Sequence, residues 1–185
     1  MIGMDKPIIL IGGAAGTGKS SLANQLSCAL DLDHRLGTGF VRSVIQSQTT
    51  PAKDPLLFSR TYQSETPIEH IRWQSKRLKP AVMVCIKRAR AEGTSLVIEG
   101  SHLLPELYSD IGATLFLVLD AGDMTRHHTR ITGHRHTKRL ITDSEFASVR
   151  LTNDYFLKTA TKHNVKIIDY DQNLEEITDL IRAGV

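Results

Sequence analysis

Ile8-Ile9-Leu10-Ile11-Gly12-Gly13-Ala14-Ala15-Gly16-Thr17-Gly18-Lys19-Ser20-Ser21 joins a strand signal, a glycine-rich turn and a helix start in one short run. The apolar residues Ile8 to Ile11, closed by glycines, have the length and composition of a buried parallel strand, and Lys19 to Leu30 is compatible with a helix. Between them, Gly13 to Ser20 satisfies the spacing G-x-x-x-x-G-K-[ST] in the strand-loop-helix setting that this pattern requires. Glycines allow tight turns and close approach, so successive N–H groups can surround phosphate oxygens while the following helix adds its positive end. Gly13, Ala14, Ala15, Gly16, Thr17, Gly18, Lys19, Ser20 and Ser21 are therefore expected to hold the phosphates of a nucleoside triphosphate. Lys19 is placed to neutralise the β and γ phosphates. The Ser20 hydroxyl completes a magnesium site shared with phosphate oxygens and water. The competing reading is a glycine-rich turn with a chance lysine, and the complete pattern with its flanks tells against it.

Further strands are expected at Arg35–Thr38, Ser95–Ile98, Thr114–Leu119 and Val165–Ile168, with helical segments at Phe40–Gln48 and Pro67–Glu92. Pro80 is expected to kink or divide the longer segment, and Gly93 to stop it. Residues 49–66, marked by Pro51 and Asp54-Pro55, read as a loop that carries function. Strands separated by helical crossovers imply an α/β class domain: a five-stranded parallel sheet, helices on both faces, and ligands at the carboxyl ends of the strands.

The length of 185 residues fits a single domain, 1–185. Lys plus Arg is 23 and Asp plus Glu is 20; the balance of +3 is too slight by itself to argue for a polyanionic partner. A chain that is 41% hydrophobic and 23% charged excludes global disorder and collagen-like repeats. Apolar runs such as Leu115 to Leu119 fall far short of the roughly 20 residues of a membrane span, and the first residues lack a signal-peptide pattern, so a cytoplasmic protein is expected. Cys28 and Cys85, each among small or apolar neighbours, are expected to be buried free thiols.

A nucleotide loop alone does not select a reaction. The chain is too short for the added modules of most motors and has no Asn-Lys-x-Asp guanine motif, which favours a compact phosphotransferase. Ser95 to Ile98 is an apolar strand that delivers Glu99 to the ligand edge, where a carboxylate can hold a metal-bound water or receive the proton of an acceptor hydroxyl; a helix-capping role is the alternative. His102 can face the same crevice or serve as an ordinary hydrogen-bonding residue.

With these residues the chain resembles the 2-phosphoglycerate kinase family of P-loop kinases. The resemblance covers most of the chain: the phosphate loop, Thr38 to Arg42, Asp54 to Tyr62, and Leu96 to Leu103, where Val97-Ile98-Glu99-Gly100-Ser101-His102-Leu103 follows the family's V-[VI]-E-G-x-H-L pattern. It implies a three-layer P-loop kinase fold with a small lid, ATP and Mg2+ as cofactors, and transfer of the γ-phosphoryl group to the free hydroxyl of 2-phosphoglycerate. It also suggests Arg42, Arg60, Tyr62, Gln74 and His102 as contacts for a small anionic hydroxy acceptor, with Ser20 and Glu99 as metal ligands. One position departs: these kinases carry Ser-Thr-Asp after the second strand, whereas here Gly39 follows Thr38. The missing acid leaves open a kinase for a nucleoside, nucleotide or other small alcohol, and a nucleotide-binding regulatory protein with weakened catalysis.

Between Asp123 and Asp143 there is no acidic residue, while Arg126, Arg130, Arg135, Lys138 and Arg139 accompany four histidines. In compact P-loop kinases this region forms a helix and lid, here about 126–141, whose arginines close over ATP; Arg126 and Arg130 share a helix face. A solvated basic loop, a metal pair at His134 and His136, and a nucleic-acid contact are the alternatives. The lack of an aromatic residue in this stretch weighs against nucleic acid.

Overall fold

The computed structural model describes residues 6–133, 141–169 and 174–182. Five strands, β1 (Ile8–Gly12), β2 (His34–Gly37), β3 (Leu96–Glu99), β4 (Leu115–Asp120) and β5 (Lys166–Asp169), form one parallel sheet in the order β2-β3-β1-β4-β5. The helices are α1 (Lys19–Ala29), α2 (Thr38–Gln46), α3 (Pro55–Phe58), α4 (Pro67–Glu92), α5 (Pro105–Tyr108), α6 (Met124–Thr132), α7 (Asp143–Lys162) and α8 (Leu174–Arg182).

Alternation along the strands builds the three layers. Ile8 and Leu10 of β1, with Leu96 and Ile98 of β3, pack on one face with Val41 and Ile45 of α2 and Leu78, Val82 and Ile86 of α4. Ile9, Ile11 and Val97, with Leu117 and Leu119 of β4, point the other way onto Ala23 and Leu26 of α1 and Ile177 and Ile181 of α8. A period of two in the strand sends alternate side chains to opposite faces, so near-continuous apolar runs are what a sheet covered on both sides requires. Register then aligns the functional edge: Glu99 pairs with Ile11 on one side and Gly37 on the other.

Three expectations change. α4 runs through Pro80 as one element of 26 residues. Pro80 and Lys76 are both exposed, so water can serve the Lys76 carbonyl that loses its N–H partner, while Ile71, Leu78, Val82 and Ile86 anchor both halves to the core. Residues 49–66 contain α3 and a 3-10 turn at Thr61–Gln63, held down by buried Leu57 and Tyr62. Cys28 is exposed, because the buried stripe of α1 is Lys19, Ala23 and Leu26, and Cys85 is only half-buried. Among the described residues no helix is long and apolar enough to cross a membrane.

Candidate active site

The loop after β1 carries its own internal scaffold. Thr17 is buried and its hydroxyl donates to the Ala14 carbonyl at 3.1 Å. The Lys19 ammonium folds over the loop, donating to the same carbonyl and to Thr17 Oγ1 at 3.3 Å. Ser20, in the first turn of α1, donates its hydroxyl to Glu99 Oε1 at 2.9 Å, although 79 positions separate the two residues. The strand order is what brings them together, since β3 lies beside β1 and ends level with it.

A second group of side chains forms the opposite wall. Gln74 Nε2 donates to the Leu56 carbonyl and to the Ser59 carbonyl at 3.0 Å, which fixes the amide so that its oxygen faces His102. His102 Nε2 lies 2.9 Å from that oxygen and must donate to it. Nδ1 then holds a lone pair and accepts the Thr38 hydroxyl proton at 2.9 Å. The ring is neutral: burial first, then the charges of Arg42, Lys19 and His70, push its pKa down to about 3. Gly100 makes this packing possible, because at φ 151° a Cβ there would lie 1.8 Å from Thr38 Oγ1. Arg60 Nη1 donates to the Tyr62 hydroxyl at 2.8 Å, with its guanidinium 5.9 Å from the ring centroid.

The two walls enclose one cleft of about 390 Å³. Ala15, Gly16, Gly18, Lys19, Ser20 and Ser21 line it from the loop, and Glu99 lines its floor. Arg42, Arg60, Tyr62, Gln74 and His102 line the far side, so all five residues named for the acceptor meet the phosphate loop in a single space. Gly13, Ala14 and Thr17 lie behind that surface, buried. Gly39, at the second position of α2, also lines the cleft, and a Cβ there would meet nothing within 4 Å.

Arg126 and Arg130 are not among the residues lining the cleft. Arg126 Nε lies 3.7 Å from Asp123, the residue that caps α6, and Arg130 Nη1 donates to the Ala121 carbonyl at 3.3 Å. The rest of the expected lid, His134 to Leu140, including the His134 and His136 pair, lies outside the described residues. α6 instead presents His127 and Ile131 to the loop, both buried, a role that charge counting does not reveal. Thr38 is also part of the wall, and only its position directly after β2 marks it in the sequence. Asp120, the other acid at a strand end, accepts from the Gly122 amide and from Asn153 Nδ2, and so orders the turn after β4.

Metal-ion requirements can be tested on the oxygens present. Ser20 and Glu99 offer a hydroxyl and a carboxylate side by side at the cleft, the hard donors that magnesium takes. Among the described residues no three His, Cys, Asp or Glu side chains gather as a complete metal site. Magnesium fits such a partial set, because it keeps water and phosphate oxygens in its shell.

No family model matches the chain. Curated relatives named 2-phosphoglycerate kinase include those of Methanococcus maripaludis, 26% identical over 88% of this chain and 59% of the relative, and Methanocaldococcus jannaschii, 27% identical over 100% and 67%. The relative from Methanothermobacter thermautotrophicus is 28% identical over 95% of this chain and 64% of its own length. The chain thus spans between 59% and 67% of the length of these relatives. Among solved structures, shikimate kinase from Acinetobacter baumannii in complex with shikimate superposes with a TM-score of 0.58 at 13% identity, covering 96% of this chain and 94% of that one. A gluconokinase from Sinorhizobium meliloti gives a TM-score of 0.51 at 16% identity over 97% and 91%. These likenesses establish the architecture as the α/β P-loop kinase fold.

Proposed function

We propose that the chain is an ATP- and magnesium-dependent kinase that phosphorylates a hydroxyl of a small anionic acceptor, 2-phosphoglycerate first among the candidates, giving 2,3-bisphosphoglycerate. The observation that carries this reading is the shared cleft: phosphate loop, Ser20 with Glu99, and the cations Arg42 and Arg60 open onto the same volume. Phosphoryl transfer asks the protein for alignment and charge neutralisation more than for covalent chemistry. In this reading the loop amides and Lys19 hold the triphosphate, the Lys19 ammonium exchanging its loop carbonyl for phosphate oxygens. Arg42 and Arg60 bind the acceptor's phosphate or carboxylate through planar forks. Glu99 orients the acceptor hydroxyl or the metal's water. Magnesium, when bound near Ser20 and Glu99, neutralises charge on the β and γ phosphates. His102 and Gln74 act through their neighbours, since their polar atoms bond to Thr38, to each other and to the backbone of residues 56 and 59. For Arg126 and Arg130 to close over ATP as expected, their side chains would have to turn from Asp123 and the Ala121 carbonyl toward the cleft.

A second reading has its own observation. The niche beside Gly39 holds no side chain where the resembling kinases have an acid, which favours a chain that binds nucleotide with weakened transfer. ADP release from MgATP with 2-phosphoglycerate, gluconate, shikimate and nucleosides separates the readings. Acceptor-stimulated ADP with 2-phosphoglycerate is the result expected. ADP with another acceptor alone would reassign the substrate, and tight ATP binding without stimulated turnover would favour the regulatory reading.

A further inference from the structure

His127 sits on α6 within the basic run, yet its side chain is fully buried. Its Nε2 lies 2.7 Å from the carbonyl of Ala15, in the middle of the phosphate loop. A carbonyl only accepts, so Nε2 carries the hydrogen. The other nitrogen, Nδ1, faces Arg150 Nη1 at 3.3 Å, and that same Nη1 donates to the Gly122 carbonyl at 2.8 Å. A guanidinium cannot accept, so Nδ1 is a lone pair and the ring is neutral in a single tautomer. Burial and the nearby cations Arg150, Lys19 and Arg130 lower its pKa, in keeping with that state. Phe146 braces the ring edge-on, with centroids 5.4 Å apart.

The contact reaches the loop where it has little room beside α6. Gly16 has φ 78°, and a Cβ there would lie 3.0 Å from Ile131 Cβ and 3.3 Å from His127 Nε2. α6 therefore covers the outer face of the loop directly. The Ala15 carbonyl and the Gly16 N–H belong to one planar trans peptide, so they point in opposite directions. With the carbonyl drawn toward α6, the Gly16 N–H turns away from that helix, and Gly16 lines the cleft.

We infer that His127 is a positioning residue for the triphosphate: its hydrogen bond to the Ala15 carbonyl, set by Arg150, holds the Ala15–Gly16 peptide with its N–H toward the phosphates. The inference deepens the nucleotide-binding reading above and rests on it. If this peptide rotated, a carbonyl oxygen would face the phosphates, so binding would have to reverse the rotation first. A loop already fixed in the receptive orientation avoids that cost.

Calorimetric titration of MgATP, and separately of inorganic tripolyphosphate, into the wild-type chain and its variants tests the assignment. His127→Phe keeps ring volume and loses the donor, and its affinity is expected to fall about tenfold or more for both probes. His127→Gln can present an amide N–H to the same carbonyl and is expected within about threefold of wild type. Wild-type affinity in a folded His127→Phe chain, or a loss seen with ATP and absent with tripolyphosphate, overturns the inference. Should the phenylalanine variant fail to fold by circular dichroism, His127→Asn, too short to reach the carbonyl, takes its place with the same expected loss and the same overturning result. A wild-type chain that binds neither probe overturns the nucleotide reading itself, and the inference falls with it.

Discussion

Gly39→Asp restores a carboxylate to an open niche, and the structure sets its consequences. The position is the second of α2, whose first turn holds no acid, and an added Cβ meets no atom within 4 Å. Replacing glycine here reduces unfolded-chain entropy by about 0.4–1 kcal/mol. The lower helix propensity of aspartate compared with alanine takes back about half a kcal/mol, and a negative charge in the first turn returns about 0.3–1 kcal/mol. Arg42, three residues on, adds about 0.3 kcal/mol as an i,i+3 partner. The net gain is about 0.5–1.8 kcal/mol, or a Tm higher by about 1–7 °C for a chain of this size. Glu99 opposes part of this, because it borders the same cleft; magnesium relieves the repulsion, so the gain is expected to be larger with Mg2+ than with EDTA. Differential scanning calorimetry under both conditions, paired with ADP release, measures the effects. Turnover with the working acceptor is expected to rise about tenfold or more, the lower end of what one positioned proton-transfer group supplies being larger still. A Tm lowered by several degrees would refute the open niche, and a raised Tm with unchanged turnover would refute the claim that a carboxylate is missing.

Glu99→Gln keeps the size of the side chain and an oxygen for the Ser20 hydroxyl, so turnover is expected to fall about a hundredfold, the scale of losing one preorganised charge, with ATP affinity changed far less; equal turnover in initial-rate kinetics would make Glu99 a structural residue. His102, with its folded pKa at about 3 against an ordinary 6.5, binds no proton where the unfolded chain does, so its burial costs stability as pH falls from about 6.5 toward 3, the loss levelling off below that. His127, also lowered, acts with the same sign. Denaturant melts across this range are expected to show a shallower acid decline in His102→Asn than in the wild type, and parallel declines would contradict the buried neutral ring.

Local signals carried the phosphate loop. Strand, turn and helix are contiguous from Ile8 to Leu30, and each obeys its own short-range chemistry. Glu99 was legible for a similar reason, since an apolar run that ends in an acid delivers that acid to the edge of a parallel sheet. The far wall was less so. Arg60 and Tyr62 stand out through family resemblance alone, and the bond between Gln74 and His102 joins residues 28 positions apart whose meeting depends on α4 crossing β3. His127 was hidden by its neighbours: the run of arginines and histidines reads as a lid over ATP or a solvated basic loop, and only the packing of α6 on Gly16 buries this one. The start of α7 had a usable signature, Thr142 with Glu145, which forms a capping box. Pro80 does not divide α4, because a helix with an apolar face anchored on both sides of a proline can leave the missing bond to water.

Calorimetric titration of MgATP into the wild-type chain and into Lys19→Ala is the most direct test of the claim that the loop from Gly13 to Ser20 grips a triphosphate. One saturable site in the wild type, lost or severely weakened when the Lys19 ammonium is removed, is the predicted result. No heat in the wild type, or the same isotherm in both chains, would contradict it.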